Sequence, residues 1–205
     1  MRNIYSTLFN RIISGEYPAG TKLKEEAIAK EFNLSRTPVR AVLQQLEQDG
    51  LISGSPNKGL WVLPFTADEI EEIYEIRKSL ELLCLDFSSH TLSVQKLLAL
   101  KKEIIANKDI EDPNLQTALD AEFHSLIIEA SNKKRLISML NQLYRLIQNF
   151  RSLGFMNKEL RDSTINEHLA ILDALISRNN SLASELMKKH IQNSKNRALL
   201  QLLNP

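Results

Sequence analysis

From Ala67 to the end of the chain, every segment repeats its apolar residues with the period of an α-helix, and that pattern leaves few folds open. Between Asp68 and about Ser89 the stripe is Ile70, Ile73, Tyr74, Ile76, Leu80, Leu83 and Phe87. Thr66 can cap this helix, with Glu69 three residues on to complete a capping box. Further helices are expected at Ser93–Asn107, Pro113–Ser131, Lys133–Leu153, Asn157–Ser177 and Ser181–Leu203. The joints SNKK, GFMN and RNNS are short, which makes neighbours antiparallel and gives an all-α bundle of about six helices over residues 67–205. The whole chain has 6 Gly and 6 Pro in 205 residues, too few for a turn-rich fold, and its 43% hydrophobic content supplies a sizeable core. No apolar run approaches the ~18 residues that span a bilayer, so no membrane contact is expected. The N-terminus has no signal-peptide layout, and the single cysteine, Cys84, cannot form an internal disulfide. Cys84 reads as a small core residue, and a cytoplasmic protein fits all of this.

The first 66 residues read differently. IYSTLFNRIISGEY puts Ile4, Leu8, Ile12 and Ile13 on one helical face, with Gly15 as a stop. EEAIAKEF is a short amphipathic helix with Ala27, Ile28 and Phe32 inward. Asn33 ends it, and Asn is one of the few side chains that tolerates a left-handed turn. Ser35 can cap the next helix, Pro38 sits in its first turn, and Val39, Val42, Leu43 and Leu46 form its buried stripe. Gly50 closes it, and LISG and LWVL flank SPNKG as a hairpin. Helix, helix, tight turn, helix, hairpin is the order of a winged helix-turn-helix, with Pro64-Phe65-Thr66 as the linker. The expected fold is therefore mainly α: a winged helix-turn-helix over 1–66, then the helical bundle over 67–205.

A recognition helix enters the major groove by its N-terminal end. Arg36 and Arg40 lie four apart on one face of that helix, and Arg suits the bidentate contact with guanine, worth about 1–3 kcal/mol of discrimination. Ser35 and Thr37 can reach phosphate, helped by the unpaired N–H groups of the helix start. Lys58 and Gly59 sit at the wing tip, where backbone can approach a groove or phosphates. Two arginines alone would also fit a solvated helix face. Charge does not decide, because the net is +1 and the first 66 residues carry 8 Lys and Arg against 6 Asp and Glu.

The stretch FNLSRTPVRAVLQQLEQDGLISGSPNKGLWV, with SGEYPAGTKL upstream, closely resembles the winged helix-turn-helix of GntR-family bacterial regulators. That resemblance covers Met1 to Pro64 and implies operator binding. It departs at the second helix, where Glu26 stands at a position that often carries Arg and Lys24 where a Ser cap is common. A Glu cannot contact phosphate as that Arg would, and Lys24 beside it can take over the contact.

The histidines form a second constellation. His124, His168 and His190 fall in three separate expected helices, and Asp120 precedes His124 by four on the same face. Three imidazoles and one carboxylate suit Zn, or Ni, Fe or Mn. Singly, each histidine reads more simply as a core or surface residue, and His90 as a surface one. Together, DAEFH, NEHLAI and MKKHI look like the metal-ligand motifs of the FCD effector domain found in the FadR subgroup of GntR regulators. The resemblance implies that Asp120, His124, His168 and His190 bind one divalent metal, with open positions left for water or a carboxylate effector. EIYEIRKSLELL resembles that family's Arg–x–x–x–Glu stretch. Arg77 can either pair with an anionic effector or bridge to Glu81 one turn on.

The expected function is a ligand-responsive, sequence-specific transcriptional regulator, in the repressing sense common in the family. It would act as a homodimer on a near-palindromic operator and respond to a small carboxylate. The histidines also leave open a metal-dependent hydrolase or isomerase, though no placed acid or base is apparent for it. A third reading is a metal-free structural bundle whose wing makes protein contacts.

Overall fold

The computed structural model describes residues 4–55, 59–64, 66–153, 155 and 157–203. The chain divides into two units with separate cores, Met1–Glu69 with Leu202–Pro205 and Ile70–Gln201.

In the first unit the order is α1 (Ile4–Ile13), β1 (Lys22–Leu23), α2 (Glu25–Glu31), α3 (Arg36–Gln48), β2 (Ile52–Ser55) and β3 (Gly59–Val62). Asn33 lies between α2 and α3 with φ 52°, so the turn uses the left-handed conformation its side chain tolerates. Leu8, Phe9 and Ile12 of α1, Ile28 of α2, Val39, Leu43 and Leu46 of α3, and Ile52 and Val62 of the sheet are all buried. Tyr5 donates a 2.7 Å hydrogen bond to Asp49 Oδ2 and ties α1 to the end of α3.

Several local expectations need correction. The buried face of α1 includes Tyr5 and Phe9, while Ile4 and Ile13 are only half-buried. In α2 the inward pair is Ile28 and Ala29; Ala27 is exposed, because the helix starts at Glu25 with Lys24 as its N-terminal flank. Ser35 occupies the N-cap position of α3 in extended backbone, yet its hydroxyl makes no capping hydrogen bond. The hairpin is the expected one, with Ile52 opposite Val62 and Ser55 opposite Gly59. It is joined by β1, which pairs Lys22 with Trp61 and Leu23 with Leu60 to give a three-stranded sheet in the order β1-β3-β2.

The second unit is all α: α4 (Ala67–Ser88), α5 (Val94–Asn107), α6 (Pro113–Ala130), α7 (Lys134–Leu153), α8 (Lys158–Ile176) and α9 (Asn180–Leu203). Thr66 and Glu69 form the reciprocal capping box of α4, with Thr66 N–H donating to Glu69 Oε2 at 2.7 Å and Glu69 N–H to Thr66 Oγ1 at 3.3 Å. Ser93, Asp112 and Asn157 cap α5, α6 and α8 with their side chains, each worth about 1 kcal/mol. Left-handed residues, Asn132 at φ 54° and Arg178 at φ 60°, turn the chain between α6 and α7 and between α8 and α9.

The core gathers Leu97, Leu100 and Ile104 of α5, Ile127 of α6, Ile171 and Leu172 of α8, and Met187 and Ile191 of α9. Within this apolar interior α6 also buries Asp120 and His124, and α8 and α9 bury His168 and His190. Burying four polar side chains is costly unless each finds partners. Their partners define the site. Among the described residues, no helix is long and apolar enough to cross a membrane.

Candidate functional site

The start of α3 is solvent-facing. Ser35, Arg36, Thr37 and Arg40 are all exposed, as is Lys24 ahead of α2. Arg36 and Arg40 do not stand alone on their face. Arg36 Nη2 donates to Glu26 Oε1, and Arg40 donates through Nε and Nη2 to both oxygens of Glu25 at 3.0 Å each. The Arg40 contact holds the Glu25 carboxyl below the usual carboxylate range. In the wing, Gly59 has φ 96°, which favours glycine, and the Lys22 side chain lies against it. The Lys22 ammonium sits 5.1 Å from the Trp61 ring centre. Lys58 lies outside the described residues.

In the second unit, Asp120 and His124 project from adjacent turns of α6, His168 from α8 and His190 from α9. One ligand atom from each lies within 4.8 Å of all the others. His124 Nε2 is 3.3 Å from His190 Nε2 and 3.7 Å from Asp120 Oδ1, and His168 Nε2 is 3.3 Å from the same Oδ1. Bonds of about 2.1 Å to one ion put neighbouring ligand atoms roughly 3.0–3.4 Å apart, a spacing met by the two 3.3 Å contacts. Phe123 stacks on His168, with ring centres 4.1 Å apart and planes at 20°.

The outer partners fix which nitrogens face inward. His124 Nδ1 is 2.7 Å from Glu81 Oε2, and His190 Nδ1 is 2.7 Å from Glu167 Oε2. A carboxylate accepts, so both Nδ1 atoms carry the proton and both Nε2 atoms present a lone pair to the centre. Burial holds His124 down to about 4 and His190 to about 3, which leaves both neutral at pH 7 and fit to ligate. His168 Nε2 is buried and makes no hydrogen bond although it lies beside Asp120, a polar atom that an ion would satisfy. The donor set, spacing, tautomers and orphaned nitrogen all fit a divalent metal.

Glu81 and Glu167 are themselves held. Glu81 accepts from Arg77 Nε and from Tyr144 Oη, both at 2.5 Å, and the Arg77 charge outweighs burial to keep its carboxyl well below the usual range. Burial would raise Glu167, but hydrogen bonds from His190 and Arg197 bring it down to about 2. The Arg77–Glu81 bridge is therefore present and fully buried, and Arg77 Nη2 also reaches His124 Nε2 at 3.1 Å.

Glu167 adjoins His168 in sequence, and neighbours on a helix face apart. It does face away from His168, and that is how it reaches His190 on α9. The signal is visible only once α8 and α9 are paired: His190, Asn193 and Arg197 line one face of α9, and each contacts Glu167.

Beside His124 a cavity of about 270 Å³ opens between α6 and α7. Its polar lining includes Thr117, Ser125, Asn141, Tyr144 and Arg145. Arg77 stands behind His124 and Tyr144, with its guanidinium 5.4 Å from the Tyr144 ring centre. A second cavity of about 20 Å³, the size of one water, touches Asp120, His190, Thr164 and Arg197.

Comparison with known proteins gives two matches along the chain. Residues 1–62 match the model of the bacterial regulatory proteins of the gntR family, and residues 72–193 match the FCD domain. The uncharacterized HTH-type transcriptional regulator YdhC of Bacillus subtilis is 27% identical over 191 residues, covering 91% of this chain and 85% of that protein. The gluconate operon transcriptional repressor of the same species is 29% identical over 183 residues, covering 84% and 74%. Among solved structures, E. coli McbR/YncC superposes with a TM-score of 0.73 at 21% identity, covering 98% of this chain and 97% of that one. At that identity the likeness speaks for the fold.

Proposed function

The chain belongs to the gntR family of bacterial regulatory proteins and carries an FCD domain, and on that premise we propose that it is a ligand-responsive repressor of the FadR subgroup. It is a DNA-binding transcriptional regulator and not an enzyme, so the hydrolase or isomerase reading of the histidines is set aside. Residues 1–66 are the DNA-binding head and residues 67–205 the sensor. The repressing sense follows the likeness to the gluconate operon repressor. The protein acts in the cytoplasm, where its DNA is.

The observation that carries the sensing role is the buried Asp/His cluster, one member of which, His124, also lines the 270 Å³ cavity. Asp120, His124, His168 and His190 would hold one divalent ion, Zn before Ni, Fe or Mn. The ion would supply a Lewis-acidic partner for one end of a small carboxylate. The chain's own residues do the rest. Tyr144, Asn141 and Arg145 line the wall and can take the polar groups of the effector, while Arg77, held by Glu81, adds positive charge behind His124.

A homodimer fits the expected operator symmetry. Ile76, Leu83 and Phe87 lie exposed along one face of α4, with half-buried Leu80 between them and Met139 exposed on α7. A face of that composition suits a second copy. Effector binding then shifts the population of DNA-competent dimers. Arg36 and Arg40 meet base edges in the major groove, Ser35, Thr37 and Lys24 meet phosphates, and Lys58 and Gly59 of the wing meet a groove or phosphates.

The test is binding to the DNA flanking the gene at stated salt, with and without chelator, for the wild type, Arg36→Ala and Arg40→Ala. Specific binding lost in both variants supports the reading; unchanged, nonspecific binding in all three overturns it. Metal analysis of the combined His124→Ala and His168→Ala variant tests the sensor, where retained stoichiometric metal refutes the ligand set.

A further inference from the structure

The first turn of α2 presents Glu25 and Glu26 to the two arginines of α3, and the pairing is ordered: Glu25 to Arg40, Glu26 to Arg36. Side-chain exposure is 62% for Arg36, 72% for Glu26, 60% for Arg40 and 29% for Glu25, so these contacts sit at the surface and outside the core. Exposed pairs of this kind contribute little to stability. Their consequence lies in what the arginines can still do. Arg40 spends Nε and one N–H of Nη2 on Glu25, which leaves Nη1 and a single Nη2 proton outside that contact. Arg36 spends one N–H on Glu26. Two positive charges are matched by two negative ones on the surface that would meet DNA.

Resting on the reading of α3 as the recognition helix, we infer that Glu25 and Glu26 are positioning residues that set operator selectivity, by fixing Arg40 and Arg36 for base edges and suppressing their attraction to phosphate. An arginine clamped along one edge keeps its other edge in a fixed direction, which favours the directional contact with guanine. Its charge is meanwhile partly cancelled, which weakens the undirected attraction that drives nonspecific binding. Glu26 bears on this most, since it occupies a position beside the recognition helix where a cation would strengthen phosphate binding.

The experiment uses the full chain. A duplex is enriched from a random pool with the wild type, and affinity for that duplex and for a scrambled one is measured over a salt series. The same measurements are made for Glu25→Gln and Glu26→Gln, with a thermal melt for each. Each variant should bind the scrambled duplex more tightly and lose roughly 10-fold in the ratio of enriched to scrambled affinity. Freeing one arginine for phosphate should also deepen the loss of affinity between 50 and 200 mM salt by about 3-fold. The melts should match the wild type. An unchanged ratio and salt slope in both variants overturns the inference alone. A parallel loss of both affinities with a lowered melt also overturns it, because the glutamates would then simply hold α2. If the wild type enriches no sequence, the DNA-reading role of α3 fails and the inference fails with it.

Discussion

Arg77 Nη2 and His124 Nε2 lie 3.1 Å apart with both side chains fully buried. Arg has no acceptor, so the His124 lone pair receives this hydrogen bond, and the same lone pair faces the Asp/His cluster. A metal and Arg77 therefore compete for one nitrogen. Arg77→Gln removes a competitor and a positive charge, and should bind divalent metal several-fold more tightly in a competition with a chelator. It should also melt at a lower temperature, since Glu81 loses its buried partner. Weaker metal binding in this variant would contradict the competition.

Glu167 orients His190 without touching the ligand centre. Glu167→Gln leaves the shape but offers Nδ1 a weaker acceptor. Metal affinity should fall about 10–100-fold while the stoichiometry at saturating metal stays at one per chain. Isothermal titration of the metal-stripped protein reads both quantities.

The cluster also fixes how the metal-stripped protein responds to acid. Unfolded, His124 and His190 take protons near the ordinary 6.5; folded, burial delays this to about 4 and about 3. Between those values the unfolded state binds more protons, so stability is complete above 6.5 and is lost as the pH falls below it. At pH 5 the loss is ~2 kcal/mol for each histidine. The Glu167 contribution is present above 4.5 and goes at lower pH, as its carboxyl titrates toward about 2. Thermal melts in chelator should hold from pH 7.5 to about 6.5 and drop from there to pH 5. A flat profile there would contradict the burial of neutral imidazoles.

Arg145 lines the 270 Å³ cavity that opens at His124. Arg145→Leu should weaken binding of small carboxylates by roughly 10-fold or more, the worth of a charge-assisted pair, while leaving metal content unchanged. A panel of carboxylates screened by thermal shift on the metal-loaded wild type and variant checks this. Equal shifts in both would move the effector elsewhere.

Leu83 and Phe87 are 43% and 42% exposed on α4. Replacing both with Asp puts two charges on the face assigned to a second copy. The double variant should run as a monomer at concentrations where the wild type is a dimer, with an unchanged melt of the helical unit. Dimer mass retained by light scattering would remove this face from the interface.

Much of this architecture is written in local chemistry. Ser93, Asp112 followed by Pro113, Asn157, and Thr66 with Glu69 mark helix starts because a cap is satisfied by its own neighbours. Asn33 marks its turn for the same reason. β1 escaped because two residues have no period, and its partner Trp61 is far along the chain. In α2 Ile28 is inward as expected, but Ala29 takes the place expected of Ala27, because a seven-residue helix barely defines a phase. The four cluster residues were legible as a set of types and spacings. Their supports were not: Glu167 serves a histidine on another helix, and Glu25 and Glu26 act on α3, so each becomes visible only when helices are placed side by side.

The cluster joins segments far apart along the chain, with His124 and His190 separated by 66 residues. An ion held there is a cross-link as well as a ligand: it closes a long loop and removes freedom from the unfolded chain, as any clip across such a span does. Loss of such an ion would loosen α6, α8 and α9 together, and the supply of metal would then limit how long the helical unit stays folded.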